Sequence, residues 1–441
     1  MTTQPIAFVR ADHVELAGAL LRELGNDLVG DLGGLHAYDE AAGVWNAVPS
    51  GVQSLKVQGF AGTPAGATGK PLRVSIGDVR GAQTLAFDQV ACEGFFADAP
   101  IGVAFANGFV SLDDRGLTLH PHSKDHRARF AFPFEYVDGA RSDTWDSFLH
   151  ALFRDDNDRD EKSAYLAEFF GAALLGLAPR YQRATVAKGL GENGKSKFGD
   201  IISAAMPPGA VCSIPPQDMG QEYRRAMLAG KRLNVVNELP EAEIISSESF
   251  KAIVTGDAIV GRHIREAPFM FKPEAGHYFA ANRLPGTNDQ SEGFWRRLVV
   301  IEFNRTFKND PARDPDIANK IIRNDLPAVV GWMLGGAARL MKVGKYTLPA
   351  SHARALEDWR MSADQAALFI RECTEDDPTA ATGGVDLYNA YRAWAPFAGH
   401  RNFLARNTFG ARLKLLGHDV VHTREGNVYR LRLRPPRCEG L

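Results

Sequence analysis

Cysteine is scarce and scattered: Cys92, Cys212, Cys373 and Cys438 are the only four, and no two fall at a C-x-x-C spacing. That pattern indicates neither a zinc site nor a disulfide framework, so reduced, intracellular thiols are expected. Long apolar runs are missing as well. No stretch of ~18 apolar residues occurs, and the opening MTTQPIAFVRADHVELAG has no charged n-region followed by a continuous apolar core. Neither a membrane span nor a signal peptide is read, and a cytoplasmic location is expected. An excess of one charge is also absent, with 51 Lys and Arg against 53 Asp and Glu, a formal net of -2. This excludes a uniformly basic protein that coats nucleic acid but leaves room for local basic surfaces acting over ~10 Å. Residues 401–441 carry nine Lys or Arg against three Asp or Glu, a local +6. No internal repeat or low-complexity tract occurs, and residues 1–130 show no clustered acidic pair for catalytic metals.

What is present is an ordinary globular composition, 45% hydrophobic and 24% charged over 441 residues, long enough for two to four domains. Residues 1–130 alternate β-like runs, LHAYDEAAGVWNAV (35–48), LKVQGFAG (55–62) and GVAFANGFVSL (102–112), with one long helical pattern at 12–24, and suggest a small α+β domain. Residues 131–180 read as a helical segment, SDTWDSFLHALF and EKSAYLAEFFGAALLGLA, separated by the acidic run DDNDRD, which reads as a solvated loop and helix start. From 181 to 345 apolar strands alternate with helices: ATVAK, RLNVVNE, HYFAAN and RLVVIEF predict an α/β fold, a sheet covered by helices. In 350–441 three helical stretches are followed by a hairpin turning near Glu425-Gly426-Asn427, which suggests a winged helix, with TEDDPTAATGG (374–384) as a loop.

The chemistry concentrates in one pattern, Gly189-Leu190-Gly191-Glu192-Asn193-Gly194-Lys195-Ser196, a G-x-x-x-x-G-K-[ST] phosphate-binding loop after a predicted strand. Its glycines let backbone N–H groups converge on phosphate oxygens, Lys195 neutralises the β/γ charge, and the Ser196 hydroxyl ligates magnesium, so ATP and Mg2+ are the expected cofactors. A glycine-rich turn that binds nothing is the alternative. Glu238, at the carboxyl end of an apolar strand, is placed to orient magnesium or the attacking water. The same carboxylate also suits a helix cap, and Glu241 is a weaker candidate acid. Asn237 stands where many such ATPases have Asp. Asn282 ends the next strand and suits a γ-phosphate or lytic-water contact, or an Asx turn. Arg297, with Arg296 as runner-up, opens the following strand and suits an arginine finger reaching a neighbouring subunit, or a surface salt bridge.

In this order the motifs GENGKS (191–196), the Glu238 strand, FKAIVTGDAIVGRHIREAPFMFKP (250–273), FAANRLP (279–285) and FWRRLVVIEF (294–303) resemble the superfamily 3 helicases. The likeness is to the helicase part of phage and plasmid primases and of the poxvirus primase-helicase. The resemblance implies an AAA+ core assembled as a ring, usually a hexamer, moving 3′ to 5′ on single-stranded DNA in a central channel. It assigns Arg262, His263 and Arg265, after TGDAIVG, to the DNA backbone. It implies an ATP-driven replicative helicase of phage, prophage or plasmid origin acting on single-stranded and forked DNA. The family's polymerase-type primase domain is not recognisable in residues 1–130, so priming is expected from a separate primase or polymerase. A non-motor DNA-binding initiator or loader ATPase is the main alternative, and a small-molecule kinase a third.

Overall fold

The computed structural model describes residues 8–239, 245, 247–264, 268–287, 289–311, 313–398, 403–423 and 426–434. Near the start, the strands Leu28–Asp31, Gly34–Asp39 and Val44–Ala47 form an antiparallel meander. Beside it pack three helices, His13–Leu24, Ser50–Gln58 and Ile76–Gln89. Two of these correct the sequence reading. LKVQGFAG alternates like a strand, yet its first half lies in Ser50–Gln58, where Gln53 and Val57, one turn apart, face inward. The 12–24 pattern is also not the only long helix: Ile76–Gln89 starts at a Ser75/Asp78 capping box and buries only Val79, Ala82 and Ala86. A second meander follows, Gly102–Phe105, Gly108–Asp113 and Gly116–His120.

The helices α1 (Asp143–Phe153) and α2 (Arg159–Leu174) lead into a five-stranded parallel sheet. Its strands are β1 (Ala184–Lys188), β2 (Val211–Cys212), β3 (Leu233–Val236), β4 (Gly276–Ala281) and β5 (Leu298–Glu302), in spatial order β2-β3-β4-β1-β5. The α/β class expected from the apolar runs is therefore present. β3 and β4 are buried along their whole length, as strands covered on both faces are. One face packs on Trp145, Tyr165, Phe169, Phe170, Phe198 and Met333, the other on Phe250, Phe294, Trp295 and Trp359. The helix α3 (Lys195–Ala204) follows β1 directly, and α4 (Leu326–Val343) lies along α2.

The DDNDRD run begins a helix, but it is not simply solvated. The fully buried Lys162 ammonium donates to Asp156 Oδ2 at 2.9 Å and to the Glu302 carbonyl at 2.8 Å, and Asp158 Oδ2 accepts from the Ser351 amide at 2.8 Å. The acids neutralise a cation that ties α2 to the end of β5, which is how a buried lysine is tolerated.

After the helix Ala350–Ala363 come Gln365–Cys373, Gly384–Trp394 and Arg406–Leu415 around Phe369, Leu387, Tyr391, Phe409 and Leu413. Val421–Thr423 pairs with Gly426–Tyr429, and the turn expected at Glu425 lies outside the described residues at 424–425. TEDDPTAATGG is not all loop, because Thr374–Asp376 pairs with Leu431–Leu433 and Thr382–Gly383 with Gly426–Tyr429. That pairing spends part of the basic tail: Arg434 meets Glu375 at 3.4 Å, Arg432 pairs with Asp377, and Arg430 donates to the Ala380 carbonyl, while Arg412 pairs separately, between helices, with the buried Asp364.

Candidate nucleotide site

The loop between β1 and α3 has the backbone that its glycines predict. Gly191 and Gly194 adopt φ of 102° and 83°, and Glu192 between them is held at 46°. A Cβ on Gly194 would also come within 2.4 Å of the Leu152 side chain, so only glycine serves there. The first turn of α3 opens on this loop, leaving its N–H groups without intrahelical partners. Lys195, in that turn, is 5% exposed. Its Nζ donates to the Gly189 carbonyl at 2.6 Å, Asn193 Oδ1 at 2.9 Å and Asn282 Oδ1 at 3.3 Å. Burial pushes the ammonium down to about 8. Asn193, buried as well, donates to the Phe303 carbonyl at 3.1 Å and fastens the loop to the chain leaving β5.

Parallel strands put all their carboxyl ends on one edge, so the residues after β1, β3 and β4 meet there. Gly191, Asn193, Gly194, Lys195, Ser196, Asn237, Glu238 and Asn282 line a single cavity of about 680 Å³. Gly189 sits just behind it, its amide donating to the Ala281 carbonyl at 3.1 Å. Ser196 and Glu238 are exposed to the cavity. Among the described residues no group of three or more His, Cys, Asp or Glu is placed to hold a metal. Ser196 brings a hydroxyl and Glu238 a carboxylate to the same cavity, so a magnesium ion held by them would have to take its other ligands from phosphate and water.

The cavity has a second wall that the sequence motifs did not point to. It is built by Thr144, Ser147, Phe148 and Ala151 of α1 and by Phe307, Arg313, Asp314, Pro315 and Ile317 beyond β5. The α1 residues recur on one helical face, adjoining the buried stripe of Trp145, Leu149 and Leu152, and that spacing is the signal available in the sequence. Arg313 had none: it reaches Glu192 Oε1 at 3.2 Å from an irregular segment 121 residues away.

Arg296 and Arg297 do not belong to this cluster. β5 runs beside β1 with Leu298 opposite Ala184 and Glu302 opposite Lys188, so both arginines stand at the amino edge of the sheet. A five-residue strand, roughly 17 Å, separates them from the chain's own loop. Arg296 is exposed, with Nη2 3.5 Å from Gln182 Oε1. Arg297 is half-buried, donates to the Gly293 carbonyl, and has its pKa lowered by desolvation.

The strands Ile259–Gly261 and Phe269–Phe271 form an antiparallel pair. Just past the first, the half-buried Arg262 lies 5.9 Å from the Tyr223 ring, and the exposed His263 stacks on Phe269 at 5.1 Å. Ile264 and Met270 beside them are 78% and 70% exposed. Arg265 and Glu241 lie outside the described residues.

Residues 187–297, from the end of β1 to the start of β5, match the model of a Family of unknown function (DUF5906). Over 230 residues the chain is 27% identical to Putative helicase 022R of Frog virus 3 (isolate Goorha), covering 47% of this chain and 23% of that protein. It is 26% identical over 154 residues to Putative helicase L207/L206 of Acanthamoeba polyphaga mimivirus, covering 33% of this chain and 16% of that protein. The chain thus spans less than a quarter of the length of these relatives. The apo C-terminal region of NrS-1 has a similar fold, with 11% identity and a TM-score of 0.50 over 96% of this chain and 99% of that one. No helix among the described residues is long and apolar enough to cross a membrane.

Proposed function

We propose that this chain is the motor of a replicative DNA helicase of superfamily 3, with an AAA+ core that hydrolyses MgATP and moves on single-stranded DNA as a ring. The observation that carries the reading is the meeting of Lys195, Ser196, Glu238 and Asn282 in one cavity. The strand order supports it: β4 lies between β1 and β3, so Asn282 falls between the phosphate loop and Glu238, where a γ-phosphate and its attacking water would sit. The viral relatives named as helicases support it independently. Ser196 and Glu238 would hold a magnesium ion, which would supply charge neutralisation at the phosphates. The chain's own residues do the rest: Lys195 and the loop amides hold phosphate, Ser196 and Glu238 hold the ion, Glu238 polarises water, and Asn282 orients it.

Arg296 and Arg297, too far from their own loop, would act on the nucleotide of the next subunit, and exposure favours Arg296. Arg262, His263 and Arg265 would track the DNA backbone in the ring's channel by charge and not by sequence. The helices and strands of 365–434 support a winged-helix reading. The arginine pairings there leave fewer cations for duplex DNA than the tail's charge suggests.

The test is strand displacement from a 3′-tailed fork together with turnover. ATP hydrolysis stimulated by single-stranded DNA, with unwinding, is the expected result. Origin binding and turnover without unwinding favours the loader. A monomer whose turnover ignores DNA favours the kinase.

A further inference from the structure

Asn237 stands where an acid would precede Glu238, and its amide faces the helix that carries the phosphate loop. Its Nδ2 donates to Asp200 Oδ1 of α3 at 3.2 Å. Its Oδ1 packs against Gly199, where a Cβ would come within 2.4 Å. Asp200 lies one turn beyond Ser196 on the same face of α3. The contact therefore joins the helix bearing Lys195 and Ser196 to the strand end bearing Glu238. Asp200 and Asn237 are both exposed, so core packing does not impose their pairing.

We propose, on the reading of this cavity as an ATP hydrolysis site, that Asp200 and Asn237 are positioning residues whose hydrogen bond sets the spacing between the phosphate loop and Glu238. The negative charge usually carried by the strand is carried here by the helix. Asn237→Asp, which by sequence alone restores a familiar acidic pair, instead brings two carboxylates within about 3 Å of each other, and like charges at that range repel strongly. Asp200→Asn combined with Asn237→Asp rebuilds the bond with donor and acceptor exchanged. Gly199→Ala acts from a third side: it favours the helix intrinsically but pushes the Asn237 amide out of place.

Asn237→Asp is expected to lower kcat on the order of tenfold to a hundredfold, the effect of a misplaced catalytic group, with a much smaller change in the KM for ATP and only a small drop in melting temperature, since both side chains are exposed. Gly199→Ala should do the same, and the exchanged double variant should recover most of the loss. Wild-type turnover in Asn237→Asp, or no recovery in the double variant, overturns the proposal. A urea-stability cycle on Asp200→Ala, Asn237→Ala and their combination, run without nucleotide, judges the bond separately from turnover, and zero coupling also overturns it. A wild-type protein that hydrolyses no ATP, or a Lys195→Ala variant that still does, defeats the functional reading, while the stability cycle still decides the clamp.

Discussion

Lys195 Nζ stands 3.3 Å from Asn282 Oδ1, a contact between residues 87 positions apart that exists because β1 and β4 are parallel neighbours. With Gly189 and Asn193 as its other acceptors, the ammonium has all three donors engaged within the protein, and a phosphate bound as proposed would compete with them. The two residues should therefore fail differently. Lys195→Ala is expected to abolish nucleotide binding in a fluorescent-nucleotide titration. Asn282→Ala should leave affinity nearly unchanged and reduce turnover on the order of a hundredfold, as removal of a transition-state donor does. An Asn282→Ala variant that loses affinity and turnover equally would assign Asn282 to ground-state binding instead.

Glu192 places a carboxylate inside the loop proposed to hold phosphate, and Arg313 covers it at 3.2 Å. Both side chains are about half exposed, so the pair contributes little to folding. Its effect should appear in binding. Arg313→Ala leaves Glu192 to repel the phosphates and is expected to weaken ATP binding by up to about fivefold, the scale of an exposed pair. Glu192→Gln should tighten binding, and both differences should shrink in high salt. Calorimetric titration at two ionic strengths measures this, and a salt-independent effect would remove the electrostatic explanation.

The strands of the sheet could be read from the sequence because burial on both faces leaves nearly unbroken apolar runs, as in HYFAAN and RLVVIEF. The helix Ile76–Gln89 could not, since a buried face made of Val79, Ala82 and Ala86 gives little periodic contrast. LKVQGFAG misled in the opposite sense: its alternation imitates a strand, but Leu55 is 70% exposed and only Val57 of that stretch is deeply buried within the helix. In the site, the residues fixed by local backbone chemistry were legible, from Gly189 to Ser196. Arg313 and Phe307 were not, because they reach the cavity from a segment with no regular pattern. The basic tail was legible as charge. Its pairing with Glu375 and Asp377 depends on the register of Thr374–Asp376 with Leu431–Leu433, which composition does not carry.

Acid should loosen the sheet through two histidines. His277 on β4 is 1% exposed and burial pushes its pKa down to about 3, while His352 is pushed down to about 4 and its Nδ1 accepts from the Val300 amide at 3.1 Å. Each folded-state value lies below that of a free imidazole, ~6.5. The unfolded chain therefore binds more protons below that pH, and stability present above ~6.5 is lost as the pH falls toward the folded values. At pH 5 the loss from His277 is on the order of 2 kcal/mol. Urea midpoints between pH 7.5 and pH 5 should fall accordingly, and His277→Asn should flatten the curve. An identical acid slope in that variant would assign the lability to other groups.

Arg296 and Arg297 are adjacent in sequence but differ in surroundings, and the difference makes the proposed action between subunits testable. Arg297, half-buried and bonded to the Gly293 carbonyl, supports the start of β5, so Arg297→Ala should lower the melting temperature along with activity. Arg296 is exposed, and Arg296→Ala should leave the melting temperature unchanged while removing most ATP turnover, as loss of an arginine finger does. Neither arginine can reach its own loop along the length of β5, so the missing groups can be supplied by different copies. An assembly mixed from Lys195→Ala and Arg296→Ala chains, each inactive alone, contains some interfaces where an intact loop faces an intact arginine. Turnover should rise on mixing and peak near equal proportions. No recovery at any ratio, with both variants assembling as the wild type does, would rule out action across the interface.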